Sequence, residues 1–93
     1  MTTIAEERIA RLHELACEAT KEREFDRSRE YVRLARRLDE RHRCGLPRQF
    51  KRFSCDACDV YLVPGVNARV RLQDGHVVIR CDCGHIDRYP YRD

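Results

Sequence analysis

Four cysteines in two pairs are the residues of this chain with the clearest chemistry. Cys55 and Cys58 form a C-x2-C pair, and Cys81 and Cys83 form a C-x-C pair after 22 intervening residues. Four thiolates from two turns suit tetrahedral Zn²⁺, because each turn presents two sulfurs at about 2.3 Å from one ion. The spacing therefore predicts one structural zinc ion between two cysteine turns, as in a zinc ribbon.

The second pair is one residue shorter than the usual spacing, so the identity of the fourth ligand stays open. Gly84 follows Cys83, and glycine suits this position because it tolerates a positive φ that points a backbone N–H at the thiolate. This glycine supports Cys83 as a ligand, together with the first pair. Either Cys81 completes the set through a compressed turn or His85 takes its place, since zinc accepts sulfur or imidazole.

Two other uses of the paired cysteines are weaker. Disulfides suit secreted proteins, but the N-terminus lacks the order of a signal peptide and no apolar run approaches the length of a membrane span. We therefore expect a cytoplasmic protein with reduced thiols and no membrane partner. A redox dithiol would be expected beside a βαβ pattern, which is absent. Cys17 and Cys44 lie outside the pairs and are interpreted as ordinary small side chains.

Positive charge is concentrated in one segment of the chain. The whole sequence has 19 Lys and Arg against 16 Asp and Glu, a net charge of +3, but residues 31–52 contain eight basic and two acidic side chains. The eight are Arg33, Arg36, Arg37, Arg41, Arg43, Arg48, Lys51 and Arg52. Guanidinium binds phosphate bidentately and stacks on bases. The block therefore favours nucleic-acid binding, and a solvated helix face is the alternative.

Two helices are predicted before the first cysteine pair. A capping box begins at Thr3, and apolar residues then recur at three- and four-residue steps as far as about Lys21. A second helix is expected from about Asp26, a candidate N-cap, to a stop supplied by Gly45 and Pro47. The short link predicts an antiparallel hairpin. Its narrow, alanine-rich stripes bury too little to be stable alone, so the hairpin packs on a partner protein or back on its own chain.

The C-terminal half has the pattern of antiparallel strands. Four segments are predicted as strands: 59–63, 68–72, 76–80 and 86–91. Pro64-Gly65 and Asp74-Gly75 are the turn signals between them. Arg69 and Arg71 project from one face of their strand because side chains alternate along it. Two cations therefore lie side by side on the predicted sheet.

Aromatic residues near the end of the chain have two interpretations. Arg88, Tyr89 and Tyr91 offer a cation and two rings that stack on bases. Alternatively, the tyrosines complete the small core. The sequence as a whole predicts a small α+β protein in three parts: a partner-docking helical hairpin in residues 1–45, a basic connector in 46–54 and a zinc ribbon of short antiparallel strands in 55–93.

Four motifs occur in an order typical of one protein family. They are Leu46–Cys58 (LPRQFKRFSCDAC), Leu62–Arg71 (LVPGVNARVR), Cys81–Gly84 (CDCG) and Arg88–Tyr91 (RYPY). In this order, after a helical hairpin, they resemble the archaeal ribonuclease P protein component 4 family. The resemblance covers essentially the whole chain. The chain departs from the family pattern at the second cysteine pair, where the family usually has C-x2-C.

The resemblance implies a subunit of the ribonucleoprotein that removes 5′ leaders from precursor tRNA, with RNA and bound Mg²⁺ as the catalyst. It implies that the N-terminal helices pair with the Sm-like component 1 of the same enzyme. It places zinc at Cys55, Cys58, Cys81 and Cys83. It places the positive surface that binds the ribonuclease P RNA at Arg48, Lys51, Arg52, Arg69, Arg71 and Arg88.

The residues themselves argue against catalysis by this chain. A zinc ion with four thiolates has no open position for water, so it cannot generate a hydroxide nucleophile. The sequence also lacks a glycine-rich phosphate loop and an H-E-x-x-H motif. We therefore expect no catalytic residue. The alternative function is a zinc-ribbon module of transcription or translation machinery that binds nucleic acid outside any nuclease.

Overall fold

The computed structural model describes residues 4–90, which begin with two long antiparallel helices. Helix α1 spans Ile4–Lys21 and helix α2 spans Phe25–His42. Small buried residues on both helices, among them Ala16 and Ala35, let the helices pack closely. The predicted small α+β class with an N-terminal helical hairpin is confirmed. The proposed capping residue Thr3 and the ring of Tyr91 lie outside the described residues.

The hairpin ends in a left-handed cap and a short helix follows it. Arg43 has φ 52°, and its N–H bonds the carbonyl of Asp39, one turn earlier in α2. Helix α3 then spans Arg48–Arg52 within the predicted connector. It is anchored by Phe50, which is fully buried. The N-cap of α2 is Glu24, and Asp26 lies in the first turn of the helix. The prediction of Asp26 as N-cap is therefore wrong.

Three strands form one antiparallel sheet in the order β1-β2-β3. Strand β1 spans Ala68–Gln73, β2 spans His76–Cys81 and β3 spans Ile86–Pro90. The predicted turn Asp74-Gly75 joins β1 to β2, and both of its residues have positive φ, as a two-residue hairpin turn requires. Three of the four predicted strands are therefore confirmed within one or two residues.

The predicted strand at residues 59–63 is wrong. This segment makes one isolated bridge, between Tyr61 and Ser54. The backbone of Tyr61 bonds side chains of the hairpin instead of a neighbouring strand. Its N–H donates to Ser28 Oγ at 3.0 Å, and its carbonyl accepts from Thr20 Oγ1 at 2.8 Å. Val60 and Leu62 make one backbone bond each, with Cys55 and Phe53, so the segment forms no continuous ladder.

Two hydrophobic clusters join the hairpin to the ribbon. The first cluster contains Ile9, Ala16, Val32, Ala35, Phe50 and Tyr61. The second contains Cys55, Val60, Leu62, Ala68, Ile79 and Cys81, and Phe53 packs against both clusters. The hairpin therefore packs back on its own chain, which was one of the two predicted possibilities. No helix within residues 4–90 is long and apolar enough to cross a membrane.

Candidate metal centre and nucleic-acid interface

The four paired cysteines converge on one point. The sulfurs of Cys55, Cys58, Cys81 and Cys83 all lie within 4.8 Å of one another. Two sulfur pairs, Cys55–Cys83 and Cys58–Cys81, are each separated by 3.6 Å and each join one turn to the other. A tetrahedron with metal–sulfur bonds of about 2.3 Å has sulfurs roughly 3.8 Å apart. The cluster is therefore consistent with one metal ion.

The two cysteine turns differ in length by one residue. In the first turn, the N–H of Cys55 bonds the carbonyl of Val60 at 3.0 Å. In the second turn, the N–H of Cys81 bonds the carbonyl of His85 at 2.9 Å. The second turn is thus closed one residue earlier, which matches the shorter C-x-C spacing. Compression of the turn, one of the two predicted possibilities, lets Cys81 reach the other sulfurs.

His85 lies outside the sulfur cluster. Its Nε2 is 3.1 Å from Asp87 Oδ1, and these two side chains form a separate group with Asp56. Two backbone N–H groups point at the sulfurs instead, from Cys58 to Cys55 Sγ and from Cys83 to Cys81 Sγ, each at 3.5 Å. The structure therefore brings Cys81, and not His85, together with the other three predicted ligands.

The electrostatics of the cluster favour a bound cation. Burial raises the pKa of Cys55 to about 11 and also raises the pKa of Cys81. In contrast, the backbone N–H of His85 lowers the pKa of the exposed Cys83 thiol to about 7. Two buried thiolates without a counterion would be costly, and a metal ion keeps coordinating thiols deprotonated.

Three arginines of α2 face the first cysteine turn. Arg29, Arg33 and Arg36 are spaced four and three residues apart, so they lie on one side of the helix. Arg29 Nε donates to the carbonyl of Cys58 at 3.1 Å, and Arg36 Nη2 donates to the carbonyl of Cys55 at 3.3 Å. Helix α2 therefore holds the backbone of the turn that presents two of the four sulfurs.

Asp59 binds two arginines that the sequence assigned to the basic block. It follows Cys58 with φ 65°, a left-handed conformation that aspartate adopts more readily than most residues. Its carboxylate accepts from Arg33 Nε at 2.9 Å and from Arg36 Nη1, and these bonds lower its pKa. Arg33 and Arg36 are therefore ion-paired within the chain, and Arg36 also pairs with Asp56 at 3.2 Å.

The remaining cations of the predicted RNA surface fall into two groups, of which the first lies on α3. Arg48 and Lys51 are exposed there, whereas Phe50 is buried. The guanidinium of Arg52 lies 5.0 Å from the ring centroid of Tyr89. Tyr89 also packs against the ribbon core, which is the second of the two roles considered for it.

The second group lies on the solvent-facing side of the sheet, where Arg69, Arg71 and Arg88 are exposed. The strand register adds Arg80, directly opposite Arg69. We call Arg69, Arg71, Arg80 and Arg88 the arginine face. Within residues 4–90, none of these four side chains has an ion pair or a side-chain hydrogen bond. Sequence analysis missed Arg80, although a hairpin turning at Asp74-Gly75 implies its position.

A known family matches most of the chain. Residues 8–84 match the family described as RNAse P Rpr2/Rpp21/SNM1 subunit domain. The chain is 63% identical over 91 residues to ribonuclease P protein component 4 of Halobacterium salinarum, covering 98% of both chains. It is 48% identical over 92 residues to component 4 of Pyrococcus abyssi, covering 95% of this chain and 78% of that relative.

Solved structures agree with the sequence match. A chain in a cryo-EM structure of archaeal ribonuclease P with mature tRNA superposes with a TM-score of 0.87 at 45% identity, covering 94% of this chain and 76% of that chain. A structure described as Pfu Rpp21 superposes with a TM-score of 0.65 at 41% identity, covering 94% and 99%. The predicted resemblance is confirmed, and so is the prediction of a subunit of ribonuclease P, an endoribonuclease whose catalyst is RNA. The chain belongs to the RNAse P Rpr2/Rpp21/SNM1 subunit family.

Proposed function

We propose that this chain is a non-catalytic, RNA-binding subunit of ribonuclease P whose ribbon is folded around one Zn²⁺ held by Cys55, Cys58, Cys81 and Cys83. Support comes from the near-tetrahedral sulfur separations of 3.6 Å and from the preference of zinc for four thiolates in structural sites. When bound, the ion supplies folding free energy and no open coordination position. Free thiols require a reducing compartment, so we place the assembly in the cytoplasm.

Contact with the ribonuclease P RNA and with precursor tRNA is assigned to two groups of cations on a rigid support. The groups are Arg48, Lys51 and Arg52 on α3, and Arg69, Arg71 and Arg88 on the sheet. One contrast supports this proposal: Arg33 and Arg36 of α2 are ion-paired with Asp59 and Asp56, whereas the sheet arginines have no acidic partner among the described residues. Exposed, unpaired guanidinium groups bind phosphates and release counterions.

Binding to the ribonuclease P RNA at graded salt concentrations tests this role. Arg48→Ala and Arg71→Ala are each expected to weaken the affinity and to flatten the slope of log affinity against log salt by about one phosphate contact. Arg11→Ala is the matched control, since Arg11 on α1 pairs with Glu14 at 3.0 Å. Slopes that stay at the wild-type value in both test variants would refute a direct phosphate role.

The N-terminal hairpin is proposed to dock on the Sm-like component 1 of the same enzyme. Ile4 and Leu34 support this proposal, because their side chains are 72% and 43% exposed on the hairpin. Ile4 also lines a groove with Leu38 and Cys44 between the start of α1 and the end of α2. The division into a docking part (1–45), a connector (46–54) and a ribbon (55–93) stays a prediction that depends on this contact.

Calorimetric titration with purified component 1 tests the docking surface. Ile4→Glu and Leu34→Glu are each expected to lower the affinity by at least about tenfold, since each places a charge in an apolar interface. Leu72→Glu is the control, because Leu72 is 70% exposed on the ribbon. If only Leu72→Glu weakens binding, the partner contacts the ribbon and the hairpin assignment is wrong.

A further inference from the structure

The arginine face places two like charges directly opposite each other. Arg69 on β1 pairs in register with Arg80 on β2, and directly opposed residues have Cβ atoms about 5 Å apart. Like charges in such positions destabilise a sheet. Arg71 and Arg88 lie on either side of Val78, two strand spacings or about 10 Å apart. Repulsion between these arginines therefore destabilises the sheet of the isolated protein.

Acidic residues near the face leave this repulsion in place. Asp74 lies in the turn between β1 and β2, and Asp82 lines a shallow recess together with Arg69 and Arg80. No ion pair within the described residues joins Asp82 to either arginine. Asp87 alternates to the opposite side of the sheet, where it pairs with His85. Both guanidinium groups therefore have hydrogen-bond donors available for a ligand with negative charge.

The same face has no phenyl or phenol ring within residues 4–90. Besides the four arginines, strand alternation places on it Gln73, His76, Val78, Ile86 and Pro90. The ring of Tyr89 lies on the other side of the sheet, beside Arg52. Proteins that bind single strands stack bases on aromatic side chains, whereas double-stranded RNA is bound mainly through its phosphates and 2′-hydroxyls.

We propose that the arginine face binds the sugar–phosphate backbone of double-stranded RNA, with Arg69 and Arg80 donating to one shared phosphate. This inference rests on the proposed RNA-binding function and adds to it the class of RNA and the residue Arg80. A phosphate between two opposed guanidinium groups accepts charge-assisted hydrogen bonds from both and offsets their repulsion. Arg71 and Arg88 contact neighbouring phosphates along the backbone.

The test compares two RNA probes on the zinc-loaded full chain. One probe is a perfectly paired RNA hairpin, and the other is an oligouridine of the same length. Wild type is expected to bind the paired probe about tenfold more tightly, and Arg80→Ala to lower that affinity about tenfold. The double variant Arg69→Ala/Arg80→Ala should flatten the slope of log affinity against log salt by about one phosphate contact, because both residues bind one phosphate. Arg11→Ala is again the control.

A second readout separates a ligand-binding role from a structural one. Without RNA, Arg80→Ala is expected to keep or raise the thermal midpoint, since it removes a repulsion. Arg80→Lys should keep the salt slope but lose part of the affinity, because lysine retains the charge without the bidentate geometry.

Two results overturn the inference while leaving the proposed function intact. The first is equal affinity of wild type for the two probes. The second is a wild-type slope of log affinity against log salt in the Arg69→Ala/Arg80→Ala variant, while Arg48→Ala still weakens RNA binding. If wild type binds neither the probes nor the ribonuclease P RNA, the proposed function fails together with the inference.

Discussion

Cys81 and His85 differ in their surroundings although both were possible fourth ligands. Cys81 Sγ is 3.6 Å from Cys58 Sγ, whereas the His85 ring is paired with Asp87. The imidazole is therefore engaged outside the sulfur cluster. Its backbone still matters, because the His85 N–H lowers the pKa of Cys83 and the His85 carbonyl closes the second turn.

Substitution of the two residues should have unequal effects on zinc affinity. Cys81→Ser is expected to lower zinc affinity by more than about a hundredfold, because it removes a ligand, whereas His85→Ala should cost about tenfold or less. Competition with a chromophoric chelator measures both. A larger loss of zinc affinity in His85→Ala than in Cys81→Ser would identify His85 as the ligand.

His13 couples stability to pH. Its Nε2 is 2.8 Å from Tyr61 Oη, and its ring stacks on Phe50 with centroids 4.5 Å apart. Burial lowers the pKa of His13 in the folded protein, while the unfolded chain keeps a value near 6.5. The unfolded state therefore binds more protons as the pH falls below about 6.5, and the stabilisation present above that pH is lost.

The contribution of His13 to the pH dependence of stability is measured by comparing wild type with His13→Gln. Chemical denaturation at about pH 7.5 and about pH 5.5 should show a larger loss of stability in wild type than in His13→Gln, because glutamine does not titrate. Taking the difference cancels the contributions of zinc binding and of the other histidines. Equal losses in the two proteins would show that His13 is not the responsible group.

At the scale of elements, a closed ring of hydrogen bonds fixes the segment around Tyr61 to the hairpin. The Tyr61 N–H donates to Ser28 Oγ, the Ser28 hydroxyl bonds Thr20 Oγ1 at 2.8 Å, and Thr20 donates to the Tyr61 carbonyl. All three residues are buried. Asn67 donates to the same carbonyl at 3.0 Å, which gives a structural reason for an asparagine after the LVPG stretch.

Ser28→Ala should therefore destabilise the zinc-loaded protein by about 1–3 kcal/mol, because it leaves the buried N–H of Tyr61 without an acceptor. Urea denaturation at a fixed concentration of free zinc measures the change. Glu30→Ala, at an exposed position of α2, is the control and should change stability by less than about 0.5 kcal/mol. A loss for Ser28→Ala no larger than for this control would show that the ring adds no stability.

Local patterns predicted the elements well and their contacts poorly. Three- and four-residue periodicity located both long helices, and the Asp74-Gly75 turn set the register of β1 and β2, because each signal is contained in a short window. The segment at 59–63 has a strand pattern, yet the backbone of its central residue Tyr61 bonds Thr20 and Ser28, which are distant in sequence. Composition likewise could not show that Asp59 pairs with two arginines, since that pairing depends on how α2 packs.

At the scale of the whole molecule, the hairpin and the ribbon depend on each other. Phe50 from α3 and Tyr61 from the ribbon lie in the same cluster as Ile9 and Val32 from the helices. Arg29 and Arg36 contact the first cysteine turn. The contacts of the cysteine cluster therefore extend beyond the sheet to α2.

Removal of the proposed Zn²⁺ should consequently affect helix as well as sheet. Because two helices of 18 residues each are marginal without tertiary packing, a strong chelator is expected to lower helical circular dichroism along with loss of the sheet, and added zinc to restore both. Full retention of helical signal in the chelated protein would mean that the hairpin folds alone. Cys58→Ser should behave like the chelated wild type.

The unequal cysteine turns affect how such chains are recognised. The turn closed by His85 is one residue shorter than the turn closed by Val60, yet their sulfurs meet at one point. A motif search that demands two identical C-x2-C spacings would discard this chain despite its intact cluster. Two turns of unequal length thus serve one cluster, and the shorter spacing by itself is no sign of a lost site.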